Sequence, residues 1–383
     1  MELPGRRKGV EVHEQHEPEL KHYLDWQLDK SLNFSTRVYL FRKIFYGFLV
    51  LGGVVVIVFF LFQGLGDPAR LVLGQSGDSA TIQNIRKELY LDQPKWKQFL
   101  LYCRDISPIS IHSREEIEKK HLKGIFIGGS TAALAIKLPY LRNSYQSRRP
   151  VWDVLMEALP GTLLLAFAAM VFATILGIAL GTLAAVKQNT WMDSSALFAS
   201  VLGISAPSFF MGILIAYFFG FLLHRYTGLP MTGSLFDIDP FRGREIKLQN
   251  LVLPALTLGI RPLAIITQLT RSAMLDVLKQ DYIRTAYAKG LGRRAVVFKH
   301  ALRNALNPVV TAVTGWFAEL LAGAFFVEYI FGWKGIGKVT VDALEKLDFP
   351  VVMGSVLLTA TLFIVINILA DLLYRRIDPR IRS

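Results

Sequence analysis

The chain reads as an all-α integral membrane protein with six transmembrane helices and a long first extracytoplasmic loop. Three observations carry this reading. Of 383 residues, 52% are hydrophobic and only 19% charged, and the mean hydropathy is +0.38; a soluble globular domain carries about 25% charge. Several uncharged runs approach or exceed the roughly 20 helical residues that a hydrocarbon core about 30 Å thick requires. Lys and Arg are concentrated in the two terminal segments and the loop 271–304, as expected where basic residues are retained on the cytoplasmic side of a membrane. The same composition excludes a disordered or collagen-like chain and argues against an ordinary soluble enzyme. The single cysteine, Cys103, excludes an intramolecular disulfide framework and a zinc-ribbon site.

Four runs are free of charge: 44–62, 161–186, 194–223 and 349–370. Two more carry isolated charges: 248–270 contains Arg261, and 305–333 contains Glu319 and Glu328. These are the six expected spans. A shorter run, 124–136, includes Gly128, Gly129, Ser130 and Thr131. It is too short and too polar to span, so an extracytoplasmic or interfacial segment is expected. Pro207, inside the third span, is expected to kink it.

With six spans both termini share one side. If that side is the cytoplasm, the inside segments 1–43, 187–193, 271–304 and 371–383 hold 21 Lys and Arg. The outside loops 224–247 and 334–348 hold 7. The loop 63–160 holds 14 more, but loops longer than about 60 residues translocate largely regardless of charge. Both termini are therefore expected to be cytoplasmic, and the net charge of +13 reads as membrane topology with no nucleic-acid partner. No cleavable signal peptide is evident, because the first apolar run begins at residue 44. Residues 1–36 read as a weakly ordered or surface-helical tail.

The segment 271–308 is the most informative. From Asp281, the residues Tyr282, Ile283, Ala286 and Tyr287 form one helical face, opposite Asp281, Arg284, Thr285 and Lys289. Gly290 and Gly292 then break the helix. A second amphipathic stretch, 293–306, ends at Asn307-Pro308. On periodicity alone this is a basic helix lying on anionic headgroups.

The residues carry more than the periodicity. Tyr282-Ile-Arg-Thr-Ala-Tyr-Ala-Lys-Gly-Leu291 and His300-Ala-Leu-Arg-Asn-Ala-Leu-Asn-Pro308 together resemble the cytoplasmic coupling loop of binding-protein-dependent ABC transporter permeases. The dipeptide/oligopeptide/nickel group is the nearest. Gly290 and Ala286 match the broad motif of that family, whereas Arg284, Thr285, His300 and Arg303 depart from it. The likeness extends to Phe62-Gln-Gly-Leu-Gly-Asp-Pro68, Leu91-Asp-Gln-Pro94, Ser144-Tyr-Gln-Ser-Arg-Arg-Pro-Val151, Ala158-Leu-Pro-Gly-Thr162 and Ser205-Ala-Pro-Ser-Phe209. It includes Val327-Glu-Tyr-Ile-Phe-Gly-Trp-Lys-Gly-Ile-Gly337 and Asp348-Phe-Pro-Val-Val352. Residues 106–140 look like an insertion into the first outside loop.

The resemblance implies an ABC importer type I permease, a pore-forming and non-catalytic subunit of a bacterial cytoplasmic (inner) membrane system. It implies import of peptides, with nickel or another small solute as the alternative. The implied partners are a second related permease, two cytoplasmic ATPases that bind ATP and Mg²⁺, an extracytoplasmic solute-binding protein and the lipid bilayer. This chain itself would bind no cofactor. The coupling element would be Asp281, Tyr282, Ile283, Arg284, Ala286, Tyr287, Lys289 and Gly290. In it Tyr282, Ile283, Ala286 and Tyr287 would pack into an ATPase, Arg284 and Lys289 would pair at its rim, and Gly290 would allow the turn.

Other signals are weaker. Gly332-x-x-x-x-Gly337-Lys338 approaches a phosphate-binding loop, but Val339 follows where Ser or Thr is needed. His13, His16 and His22 lie in a polar tail without metal-site spacing. Arg261 and Glu319 are ionisable groups within spans, so they either face a cavity or pair. Glu319 and Pro207 are the candidates for lining a translocation pathway. A secondary transporter driven by an ion gradient is the rival, but no internal repeat supports it. A membrane-embedded enzyme has no catalytic constellation behind it.

Overall fold

The computed structural model describes residues 17–64, 83, 86, 90–129, 132–239 and 243–377. The expectations for the first 16 residues and for the last six lie outside the described residues. Helix α1 (Glu17–Gly64) runs unbroken into the first apolar stretch. Thereafter come α2 (Lys95–Ile106), β1 (Ile109–His112), α3 (Arg114–Lys119), β2 (Gly124–Gly128), β3 (Ala133–Lys137) and α4 (Val151–Val186). The chain continues through α5 (Trp191–Ser205), α6 (Ser208–Ile215), a π-helical turn (Ala216–Leu222), α7 (His224–Thr227), β4 (Phe236–Asp239) and β5 (Gly243–Ile246). It ends with α8 (Gln249–Leu278), α9 (Asp281–Ala288), α10 (Arg293–Ala295), a second π-helical turn (Val296–Ala301), α11 (Leu302–Gly323), α12 (Phe325–Phe331), α13 (Ile336–Glu345) and α14 (Phe349–Ile377).

Four helices are long and apolar enough to cross a membrane: Tyr39–Gln63 within α1, α4, α8, and Phe349–Leu372 within α14. Two bent pairs bring the number to six if each is one span. Trp191–Ser205 meets Ser208–Leu222 at 111°, and Arg293–Leu321 meets Phe325–Phe331 at 60°. The first bend is sharper than the expected kink. Pro207 disfavours the helical region at the residue before it, and Ala206 is accordingly extended (φ −75°, ψ 131°). The helices also overrun the apolar runs: α4 begins ten residues before 161, and α8 continues eight beyond 270.

The core is the contact between α4 and α8. Small residues let their backbones approach: a Cβ on Gly181 would sit 2.5 Å from the Thr267 carbonyl, and one on Gly259 2.8 Å from the Ala169 carbonyl. Leu165, Ala169 and Ala173 pack there with Leu253 and Ile266, and Trp333 closes one end.

The loop between the first two spans is not wholly helical, which qualifies the all-α expectation. Its strands form an antiparallel sheet in the order β1-β3-β2, with Ile109 and Ile125 both opposite Ile136. The run 124–136 is therefore a β-hairpin. One face is buried through Ala133, Ala135 and Lys137; the other leaves Ile109, Ile111, Ile125, Ile127, Leu134 and Ile136 exposed. Beneath the sheet, Lys137 Nζ donates to the Asp105 carbonyl at 2.5 Å, Lys120 pairs with the Asp105 carboxylate at 2.6 Å, and Arg104 pairs with Glu116 at 2.7 Å. Burial pushes Lys137 down to about 8. Burial also lowers His112, and the nearby Arg104 and Lys137 charges add to the effect.

Two buried carboxylates join the remaining loops to the helices. Glu328 is fully buried, and its Oε2 accepts the backbone N–H groups of Gly337 (2.7 Å) and Lys338 (3.2 Å) in the first turn of α13. The same loop reaches α4: Trp333 Nε1 donates to the Gly161 carbonyl at 2.9 Å, and Ile336 N donates to Thr162 Oγ1 at 2.8 Å. Gly335 is required, because a Cβ there would lie 2.3 Å from the Glu328 carboxylate. Asp348 does similar work for the loop before α4, accepting from Ser144 Oγ (2.5 Å), Tyr145 N (3.0 Å) and Gln146 N (3.3 Å).

Two outcomes follow. Glu328→Ala leaves two buried N–H groups without their acceptor and should cost about 1–3 kcal/mol, whereas Glu328→Gln should retain part of that; thermal unfolding of the detergent-solubilised chain measures both. His112 takes up its proton at lower pH when folded than its ordinary 6.5. The unfolded chain therefore binds more protons below about 6.5, and the sheet should lose stability as pH falls through the folded value. Hydrogen exchange of residues 105–137 between pH 7 and 5 should show this loss, and His112→Gln should remove it.

Candidate functional site

The loop after α8 is built as a sequence of stops and starts. Gln280 is extended (φ −72°, ψ 149°) and launches α9, whose first turn carries Asp281. At the other end Gly290 takes φ +78°, Gly290 N donates to the Tyr287 carbonyl (2.9 Å), and Leu291 N donates to the Ala286 carbonyl (3.3 Å). This pair of bonds around a left-handed residue is the Schellman termination, and it explains the glycine at that position. Gly292 is extended again, and α10, the π-helical turn and α11 lead away.

The expected partner-facing set divides into two. Ile283 and Ala286 do not face outward: they are 1% and 7% exposed and pack on Met274, Val296, Val297, Ala301 and Ala305, with Ala185 from the end of α4. The periodicity identifies an apolar face correctly, but α8, the second π-helical turn, α11 and α4 cover its centre. Tyr282 and Tyr287 flank that face and remain exposed, as do Asp281, Arg284 and Lys289. Asn304 Nδ2 donates to the Tyr282 hydroxyl at 2.8 Å, and Arg284 meets Asp281 at 3.4 Å in a fully solvated pair that contributes little.

A second contact ties this loop to α5. Arg271 grips Asp193 through both carboxylate oxygens, Nε at 2.5 Å and Nη2 at 2.8 Å, and Asn189 N donates to the same carboxylate at 3.0 Å. Arg293 Nη2 donates to the Val186 carbonyl at 3.0 Å. The Arg271–Asp193 pair is absent from the sequence-based expectations. Its signal in the sequence is faint, an Arg and an Asp at the edges of two different apolar runs.

Pro207 and Glu319, far apart in sequence, line one cavity of about 290 Å³. Arg261, Trp316, Ser205, Ser208 and Met211 share its wall. The Arg261 guanidinium lies 5.6 Å from the Trp316 ring centroid. Of the two settings expected for Arg261, a cavity or an acidic partner, the fold provides the cavity. Glu328 is occupied by the α13 N–H groups, so the loop that mimics a phosphate-binding sequence directs its amides at a carboxylate of its own chain. Among the described residues, no group of three or more His, Cys, Asp or Glu side chains could hold a metal.

Residues 177–383 match the family model for the binding-protein-dependent transport system inner membrane component, and residues 37–110 match the model for its N-terminal part. The chain is 33% identical over 362 residues to the dipeptide transport system permease protein DppB of Alkalihalophilus pseudofirmus, covering 90% of this chain and 99% of that one. It is 37% identical to the DppB of Escherichia coli K12 over 353 residues, and 37% identical to the glutathione transport system permease protein GsiC of the same strain over 331 residues. Each of these alignments covers 86% of this chain and 94% of the relative. The fold of apolar helices and these matches together place the chain in the binding-protein-dependent inner membrane component family, as a multi-pass, non-catalytic permease subunit of an ABC importer.

Proposed function

We propose that this chain forms one half of a heteromeric pore that imports di- or oligopeptides. An extracytoplasmic solute-binding protein delivers the peptide, a second related permease completes the pore, and two cytoplasmic ATPases bind ATP and Mg²⁺. The peptide class is supported by the relatives, whose names specify dipeptide and glutathione transport. Both termini face the cytoplasm in this reading, which the 21-to-7 division of Lys and Arg among the tails and short loops supports.

The observation that carries the coupling role is the two-sided construction of α9. Its inner residues, Ile283 and Ala286, anchor it to α4, α8, the second π-helical turn and α11, and its outer residues, Tyr282, Arg284, Tyr287 and Lys289, are open to a partner. A helix held in this way moves with the spans, so ATP-driven closure of the ATPases is transmitted without slack. The Arg271–Asp193 pair extends the connection to α5, which ends at the Pro207 break. Arg261 lies ten residues before Arg271 on α8, about 15 Å along the axis, so one continuous helix, with Pro262 inside it, links the proposed coupling loop to the cavity. Pro207 and Glu319 then line the translocation pathway.

Exchanging Tyr287 for Glu should reduce ATPase recruitment and uptake by about tenfold or more while the chain still accumulates in the membrane. Ile283→Ala should act differently, lowering stability by about 2–4 kcal/mol through a cavity in the anchor. Gly290→Ala should cost about 1 kcal/mol, because a Cβ is strained at positive φ. Co-purification of the ATPases, peptide uptake in proteoliposomes and thermal unfolding separate the three. Normal coupling by Tyr287→Glu would remove α9 from the mechanism.

A further inference from the structure

The cavity holds two opposite charges that do not neutralise each other. Arg261 sits twelve residues into the thirty-residue α8, about 18 Å from its start, and so near the middle of that span. Glu319 reaches the same wall from α11. Among the described residues neither side chain makes an ion pair or a hydrogen bond; Arg261 has its contact with the Trp316 ring. Both residues are exposed on this chain, open to the cavity side; ionisable groups at this depth are expensive unless they meet water, a partner or a ligand. In a chain that folds to give Asp348 and Asp193 several close donors, leaving this pair apart sets it off from the structural carboxylates.

The wall has further polarity. Helix α6 starts at Ser208, beside the cavity, and no side chain caps its N-terminal N–H groups. Those groups and the helix dipole favour a carboxylate, as Arg261 does. Trp316 holds the guanidinium by its ring face. The cavity, at about 290 Å³, lies near the lower end of small-ligand pockets, which run from about 300 to 1,000 Å³. It suits the ends of a short chain.

We infer that this cavity is a zwitterion-reading station on the pathway: Glu319 receives the N-terminal ammonium of a peptide, while Arg261, aided by the α6 N-terminus, receives its C-terminal carboxylate. This rests on the peptide-import reading and adds to it. A free peptide neutralises both charges in one step, whereas a peptide capped at either end leaves one charge unmatched. The permease thereby discriminates on its own account, after delivery by the binding protein.

The test uses the complete transporter in proteoliposomes with saturating, ligand-loaded binding protein. Uptake of one dipeptide is measured in three forms: free, N-acetylated and C-amidated. Each variant's rate, per assembled complex, is divided by the wild-type rate for the same form, which cancels the preference of the binding protein. Glu319→Gln should lower uptake of the free and amidated forms by about tenfold and spare the N-acetylated form. Arg261→Met should lower uptake of the free and N-acetylated forms by a similar factor and spare the amide. Glu319→Asp and Arg261→Lys, which keep the charge, should fall between. An equal loss on all three forms would assign the residues a structural role, and no loss on any would place the cavity off the pathway; either result overturns the inference. Absence of uptake of every form by the wild-type complex would overturn the peptide-import reading, and this inference with it.

Discussion

The buried carboxylate of Glu328 is the interaction on which the surrounding architecture depends. It is held by the amides that open α13, and the loop between Glu328 and those amides is in turn fixed on α4 through Trp333 and Thr162. A buried carboxyl group is costly unless it is hydrogen-bonded. Here Oε2 accepts two amides at the N-terminal end of a helix, while the buried Oε1 has no partner among the described residues. The geometry leaves no room for alternatives at Gly335 and Gly161, where a Cβ would run into the carboxylate or the Lys334 carbonyl. The resulting knot ties α12 and α13 to α4.

Within that frame the two candidate working parts are mechanically connected. The anchor beneath α9 includes the last turns of α4 and α8, and the Arg271–Asp193 clamp adds α5. The cavity is walled by the break that ends α5, by the middle of α8 and by α11. The anchor of α9 and the cavity therefore share α5, α8 and α11. Membership of the importer family accounts for such a connection and displaces the reading of a carrier driven by an ion gradient.

Much of this is legible in the amino-acid sequence. The six apolar stretches stand out because a bilayer imposes a length on uncharged helix, and α9 stands out because its glycine terminator and its amphipathic spacing lie close together in the chain. Segments that carry the family likeness prove to be mutual partners in the fold: 144–151 meets Asp348, and 158–162 meets 327–337. Other features are less legible. The alternation in 109–112 and 124–137 is a strand pattern, but length and polarity, the measures that exclude a span there, do not reveal the small sheet. The turn at Pro207 reaches 111°, which no local rule supplies, because the angle depends on how α6 packs after the break.

Composition and hydropathy by themselves established a multi-pass membrane protein, and spacing an amphipathic helix closed by a glycine between two spans, since each of those properties is local or set by the solvent; the permease reading came from the resemblance of the motifs. The roles of individual charged and apolar residues came only from folding. Ile283 turned inward because three other helices cover it, Glu328 became a structural acceptor because α13 begins beside it, and Arg261 and Glu319 came to share a wall because α8 and α11 cross there. Those outcomes depend on contacts between residues distant in sequence, and burial or pairing of a side chain is a property of the assembled surroundings, which no local pattern encodes.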